Sequence, residues 1–564
     1  MRLRHVISIL SLLICGCGAS GTDDSSPPSD DPSAPFLPVN AFTSGDSPDP
    51  ASTGLFVFSS HSPTEPPKRI TTQPVLVLGA HVSQSLDAQG KMHAGNPDLL
   101  FFTSEEPGGD HHVWSLNVTG NSNLVPRQLS SLTLPYYQEH FGPGVNGPLV
   151  ACGSQAIAKD LSDPTSVLLF ISVPTSQFPY CTTNPATTQW YLLRWSDGPG
   201  TPPVSLPLLT SAILPLYRPD GILAGLVAVD SAHNLSLYPD ETMTNARVLL
   251  TDVVSVRSRQ ERGPRLEVSD PTYSFLQVMQ APGALYGSVY RIDYTGHISG
   301  SLHDFAGSVD EAVVESNTLF VTEANSYPGY STELVARVPG DGSAAQVLSN
   351  FYKSDLQGGG LPVLAGISGP TLVLSAVTPQ QQDLVQTLRK DGPGDPVTIG
   401  TYDDGIDVRV VDGDILVSVF SNTTNPEGVT QYQSSTQVMD STGAVLQPLT
   451  PSSEFLSGST PLLQVRGIAD TGGGVGGGKL YTLDLSQPSA PLSPAFELIG
   501  GAPFSFPSNS QYVGLTYNQI DSSHAFVQYG DRGLVLDLAR RIVVPVSIPN
   551  ASLSFLLTPD RLAN

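Results

Sequence analysis

Asn96-Pro97-Asp98-Leu99-Leu100-Phe101-Phe102-Thr103-Ser104 is followed by His112-Val113-Trp114-Ser115-Leu116-Asn117-Val118 and then by Pro126-Arg127-Gln128-Leu129. A continuous apolar run enters after a polar turn, a second run alternates apolar and polar residues, and a Pro-marked break closes the unit. Continuous runs of this length suit a strand buried on both faces, and alternation suits a strand with one face wet. The unit predicts a small antiparallel sheet.

The rhythm recurs along the chain. Val167 to Val173 precedes Trp190 to Trp195, Ile222 to Val229 precedes Asn234 to Tyr238, and Phe275 to Met279 precedes Ser288 to Asp293. Leu319 to Val321, Leu372 to Val377, Ile415 to Phe420, Leu462 to Val465 and Val513 to Tyr517 lead five further units. Leading strands start 43 to 68 residues apart, the spacing of β-propeller blades. Each sheet alone cannot cover its two faces, and radial stacking covers both. In this reading the continuously apolar strand is the innermost of its blade. Nine units are well marked, and Leu55 to Leu78 supplies a tenth candidate.

The unit at 96–129 resembles propellers of the Tol-associated and WD-repeat-like type. Asn96 to Ser104 looks like their strand entry, Val113 to Asn117 their alternating strand, and Arg127-Gln128-Leu129 their closing turn. The Trp-Asp dipeptide of strict WD repeats is absent. The resemblance implies an all-β propeller of seven or eight blades, with up to ten candidate units. A pair of β-sandwiches is the alternative fold.

Upstream, Arg2 and Arg4 precede an apolar stretch, Val6 to Ile14, too short to span a bilayer. Ile14-Cys15-Gly16-Cys17 resembles the lipobox of bacterial lipoproteins. That resemblance implies a signal peptide over 1–16, acylation of Cys17, and anchoring by several acyl chains. Gly18 after the acylated position favours the outer membrane of a bacterial envelope. Residues 17–50 are rich in Ser, Asp, Pro and Gly and predict a disordered tether; the propeller is expected over 51–564.

Composition sharpens the class. The chain has 39% hydrophobic residues and a net charge of −25, with 26 basic against 51 acidic side chains. Such a surface repels phosphate backbones, so no nucleic-acid partner is expected. The acids divide into 37 Asp and 14 Glu, joined by 53 Gly and 50 Pro, a composition of turns and not of helices. Gln380 to Arg389 is the best short helix candidate. Cys152 and Cys181 are the thiols left after processing and are expected to pair in an exported protein, contributing about 3–4 kcal/mol.

Searching for chemistry yields little. Gly296-His297-Ile298-Ser299-Gly300 is a hairpin turn and not a nucleophile elbow. Gly472 to Gly478 lacks the Lys-Ser/Thr ending of a phosphate loop. Asp110-His111-His112 and His297, His303 and Asp304 read as polar hairpin tips. Asp403, Asp404, Asp407, Asp412 and Asp414 place five carboxylates within twelve residues and make calcium the one candidate cofactor, although the EF-hand spacing is absent. The expectation is a membrane-anchored propeller that binds a protein or glycan without catalysis. The alternative is a propeller enzyme of lyase or glycosidase type, with active residues gathered at the central channel from several blades.

Overall fold

The computed structural model describes residues 36–42, 51–60, 62–86, 92–105, 111–120, 122–134, 138–140, 146–148, 153–163, 165–174, 188–208, 213–261, 269–281, 285–327, 330–352, 362–378, 380–424, 430–456, 462–467, 469–470, 475–476, 478–484, 493–506, 516–520, 523–529, 532–549 and 551–556. All its named elements are strands, and they fall into ten main sheets in chain order. We number these blades 1 to 10. Blade 2 runs from 76 to 128, blade 3 from 153 to 206, blade 4 from 214 to 250, blade 5 from 253 to 304 and blade 6 from 308 to 352. Blades 7, 8 and 9 occupy 363–402, 405–451 and 453–483, and blade 10 occupies 497–546.

Blade 1 joins the chain's two ends. Phe36–Phe42, Gly54–Ser59 and Lys68–Arg69 form three of its strands, and Ser552–Phe555 supplies the fourth, against Phe36–Phe42. The expected tether over 17–50 therefore holds a strand of the ring. Leu37, Val39 and Ala41 alternate along it and are fully buried. That alternation lies in the sequence but is masked by the Pro and Ser content on either side.

Nine apolar clusters stitch the blades together. One contains Leu55 and Phe58 of blade 1, Leu100 and Phe102 of blade 2, and Phe526 and Val535 of blade 10. The other eight each bridge one successive pair, from blades 2 and 3 through blades 9 and 10. The contacts return to their start, so the ring is closed. First strands of several successive blades also lie against one another, which places them around the channel. Close approach is visible between blades 2 and 3, where a Cβ on Gly79 would stand 3.3 Å from that of Ala156.

Ten blades replace the seven or eight implied by family resemblance; the nine well-marked units each fall in a blade of their own, and the tenth candidate, Leu55 to Leu78, covers two strands of blade 1 and the start of blade 2. The radial position of the apolar strands also changes. In blades 2 to 9 the leading runs, among them Leu99 to Thr103, Val167–Pro174 and Thr371–Val377, are second strands, not innermost ones; in blade 10 the described part of the run, Thr516–Gln519, is an edge strand. A second strand has neighbours on both edges and blades on both faces, so it is the most enclosed. The first strand borders the channel and carries more polar residues. The helix expected at Gln380 to Arg389 is a turn followed by the strand Asp383–Arg389; Gln381 has φ +64° in that turn. Paired with Thr371–Val377, this segment satisfies its backbone laterally.

The Asp excess has a structural use. Asp293 Oδ1 accepts from the backbone N–H of Thr295 and of His297, and Asp440 Oδ1 from those of Thr442 and Ala444. Asp341 and Asp537 do the same at equivalent places. Each sits where a third strand turns into a fourth. A short carboxylate folds back onto its own turn, which Glu is too long to do. Asn117 takes the same role in blade 2, with Thr119 as donor.

Candidate functional site

Blades 5 and 6 leave a recess between their channel-side strands. It measures about 170 Å³ and is lined by Ser255, Arg257, Gln277, Met279, Leu285, Tyr286, Ser308 and Val309. The construction follows from register. Arg257 on the first strand of blade 5 lies opposite Gln277 on the second, Gln277 opposite Val289 on the third, and Val289 opposite His303 on the fourth. Residues opposite one another share a face of the sheet. Val289 packs with Leu319 and Val321 of blade 6, so this row faces that blade.

The row is apolar at its middle and polar at both ends. Toward the rim, His303 Nε2 lies 2.6 Å from Glu323 Oε1, and Glu323 Oε2 accepts from the Ala306 N–H. Toward the channel, Arg257 and Gln277 open into the recess. Three alternate positions of the first strand, Ser255, Arg257 and Arg259, face blade 6, while the opposite face of the same strand packs Val253 and Val256 against blade 4. Small and charged residues cannot fill the gap that Val or Ile would fill. Tyr273, Phe275 and Phe305 close the other end of this interface, so the opening stays local.

Two buried polar atoms in this region have no hydrogen-bond partner, Gln277 Oε1 and Arg259 Nε. Gln277 spends its amide N–H on the Tyr286 carbonyl at 3.4 Å. Such unsatisfied atoms cost about 1–3 kcal/mol each and mark places where a ligand or water can enter.

The five aspartates singled out for calcium are not brought together. Asp403 and Asp404 lie in the turn before the first strand of blade 8, Gly405–Val411, while Asp412 lies in the turn after it. Seven residues of strand separate the two turns by roughly 23 Å. Asp403 accepts from Gln382 Nε2 at 2.8 Å, Asp407 pairs with Arg409 at 2.8 Å, and Asp414 opens the next strand. Burial, and after it the charges of Asp412 and Asp440, raise the Asp414 carboxyl above its usual range. Among the described residues no group of three or more His, Cys, Asp or Glu is arranged to hold a metal.

The histidines serve as structural partners. His111 is buried, and its carbonyl accepts from Leu134 N–H; His112 Nδ1 lies 3.0 Å from the Leu132 carbonyl. His81, unremarked in the sequence, is buried against Asp98 of the strand-entry motif at 3.1 Å. Cys17, Cys152 and Cys181 lie outside the described residues. Around the latter two, Gly153 is paired with Ser172, and Pro174 with Thr188, so the flanking described residues meet at one end of blade 3.

Arg257, Arg259 and Gln277 were not selected from sequence. An Arg-x-Arg pair on a predicted strand is an ordinary surface pattern, and only register shows that both side chains face an open seam.

No protein-family model matches the chain, and no curated protein matches it. Among solved structures, a eukaryotic initiation factor is 10% identical, with 92% of this chain and 96% of that one covered and a TM-score of 0.38. A TolB of Agrobacterium tumefaciens is 16% identical over 49% of this chain and 84% of that one, with a TM-score of 0.22. A prolyl endopeptidase is 11% identical over 82% of this chain, with a TM-score of 0.31; the chain spans 55% of its length. At these values the likeness carries no argument about activity, and the propeller rests on the chain's own strand pairing.

Proposed function

We propose that this chain is an exported lipoprotein, anchored through Cys17 at the outer membrane of a bacterial envelope, whose propeller is a non-catalytic binding platform for a protein or glycan. The observation that carries the reading is the recess between blades 5 and 6. It is an open site with arginine and amide groups on the channel side of a blade interface that an apolar cluster closes further out. A ring locked at both chain ends holds such a site rigidly, which favours binding. The lipobox around Cys17 and the net charge of −25 support an address at a membrane and a partner other than nucleic acid.

The enzymatic reading draws on one feature. Glu454, on the first strand of blade 9, has its carboxyl raised by burial, partly offset by the Arg409 charge. A carboxyl whose proton affinity is raised by burial is the raw material of a general acid. The two readings separate on one experiment. The full chain, purified from membranes in detergent, is incubated with polysaccharides, esters and peptides, and products are followed by mass spectrometry. The platform reading expects ligand retention without turnover. Turnover that disappears in Glu454→Gln would replace it. For the anchor, a Cys17→Ser chain should lose its membrane association; one that stays membrane-bound and processed would refute it.

A further inference from the structure

We infer that the recess between blades 5 and 6 binds a small organic carboxylate that also carries a hydrogen-bond donor. The inference rests on the binding-platform reading and names the small carboxylate-bearing group by which that same site would hold its ligand.

Acidic residues outnumber basic ones 51 to 26, and several cations of this chain are held by a neighbouring carboxylate. Arg409 pairs with Asp407, Arg194 and Lys159 with Glu241, Lys390 with Glu315, and Arg389 with Asp391. Arg257, the cation that lines the recess, makes no ion pair among the described residues, and Arg259 stands two positions further along the same strand face, about 6.6 Å away. Blade 8 offers the direct contrast. Its first strand has the same alternation, with Asp407 and Arg409 facing blade 9, and there the arginine is neutralised within its own strand. In blade 5 the corresponding partner position holds Ser255, which cannot neutralise anything.

The remaining lining fixes the rest of the ligand. Arginine presents a planar fork that matches a carboxylate with two parallel bonds. Ser255 and Ser308 add hydroxyls at the same mouth. Gln277 Oε1 is a buried acceptor with no donor, so the bound molecule must bring an O–H or N–H to it. Met279, Leu285 and Tyr286 form an apolar wall, and Leu285 is 75% exposed. Such a wall favours a hydrocarbon or aromatic body over a bare inorganic anion. The site thus asks for one anionic end, one apolar body and one donor.

The test uses the full chain in detergent, with 4-hydroxyphenylacetate as probe, followed by calorimetry and ligand-observed NMR. Saturable binding is expected, weakened about tenfold or more in Arg257→Gln, because a hydrogen bond to a charged group is lost. Gln277→Leu should weaken 4-hydroxyphenylacetate but leave phenylacetate, which lacks the donor, unchanged. Tyramine, which lacks the carboxylate, should not bind. Arg257 is exposed, so its variant should melt like the parent and report on binding alone. Absence of saturable binding overturns the inference, as does affinity unchanged by Arg257→Gln. Inorganic phosphate binding more tightly than the organic acid would also overturn it, by assigning the arginines to phosphate. These failures concern the ligand class of the recess; the platform reading is overturned separately, by turnover in the substrate panel.

Discussion

Val39 and Phe555, near opposite ends of the chain, stand opposite each other in one antiparallel ladder, and both are buried. The pairing makes blade 1 a composite of both termini. Ring closure therefore depends on the last strand being added to the first, at the largest loop-closure cost the chain can incur.

Phe555 stacks on Phe526 of blade 10, with ring centroids 4.7 Å apart and an interplanar angle of 17°. Phe555→Ala should lower unfolding free energy by about 3–5 kcal/mol, measured by urea titration with circular dichroism. Phe526→Ala should cost a similar amount, and the double variant less than the sum, because the two rings share one contact. Removing 552–564 should abolish the cooperative transition. A truncated chain that still unfolds in one sharp step would show that the closure is not needed.

Cys152 and Cys181 should be bridged in chain recovered from an oxidising compartment. Non-reducing peptide mapping should return one linked pair. Two thiols that both alkylate under native conditions would exclude it.

Acid should weaken the strand-turn hairpins. Hydrogen bonds from Thr442, outweighing a small burial effect, hold the Asp440 carboxyl below its usual value of 3.8. The folded state then binds a proton less readily than the unfolded one. The stabilisation is complete above the unfolded value and is lost as pH falls through the lower folded value. Asp440→Asn keeps the side-chain carbonyl acceptor and removes the proton. Its stability, relative to the parent, should improve as pH drops below about 4. A pH-independent difference would contradict the hydrogen-bond origin.

Glu454 should show the opposite sign. Burial raises its carboxyl above 4.5, so the folded state binds a proton more readily than the unfolded one. Stability linked to this group is therefore highest below 4.5 and falls as pH rises through the folded value. Glu454→Gln should be neutral relative to the parent near pH 4 and more stable at pH 7, read from denaturation midpoints. A variant less stable at pH 7 would mean that the charged carboxylate has a partner worth more than its burial costs.

Gly366 has φ +153°, and a Cβ there would come within 2.9 Å of the Val410 Cβ in blade 8. Gly366→Ala should cost about 1–3 kcal/mol by overpacking the seam between blades 7 and 8. Gly392→Ala, with nothing near it, should be close to neutral. Equal effects at both positions would remove packing as the cause.

Much of the ring can be read directly from the chain. Continuous apolar runs such as Leu99 to Phe102 mark the most enclosed strand of each blade, because burial on both faces leaves no place for a polar residue. Asp at the end of a third strand, as at Asp293 and Asp440, marks the next turn, because its carboxylate reaches its own backbone. These signals are local, and local chemistry determines them. They establish an all-β chain of about ten repeated units.

Only the tertiary structure decides the rest. The short strand Phe36–Phe42 gains its place by pairing with Ser552–Phe555, a partner no local pattern identifies. Asp403 and Asp412 look adjacent in sequence, yet an extended strand carries them apart. Arg257 looks like ordinary surface charge until the register of blade 5 turns it into a seam whose other wall is Ser308 and Val309. Strand formation depends on each residue's own alternation. A site depends on which strand edges and faces meet, and that is set by the closure of the whole ring.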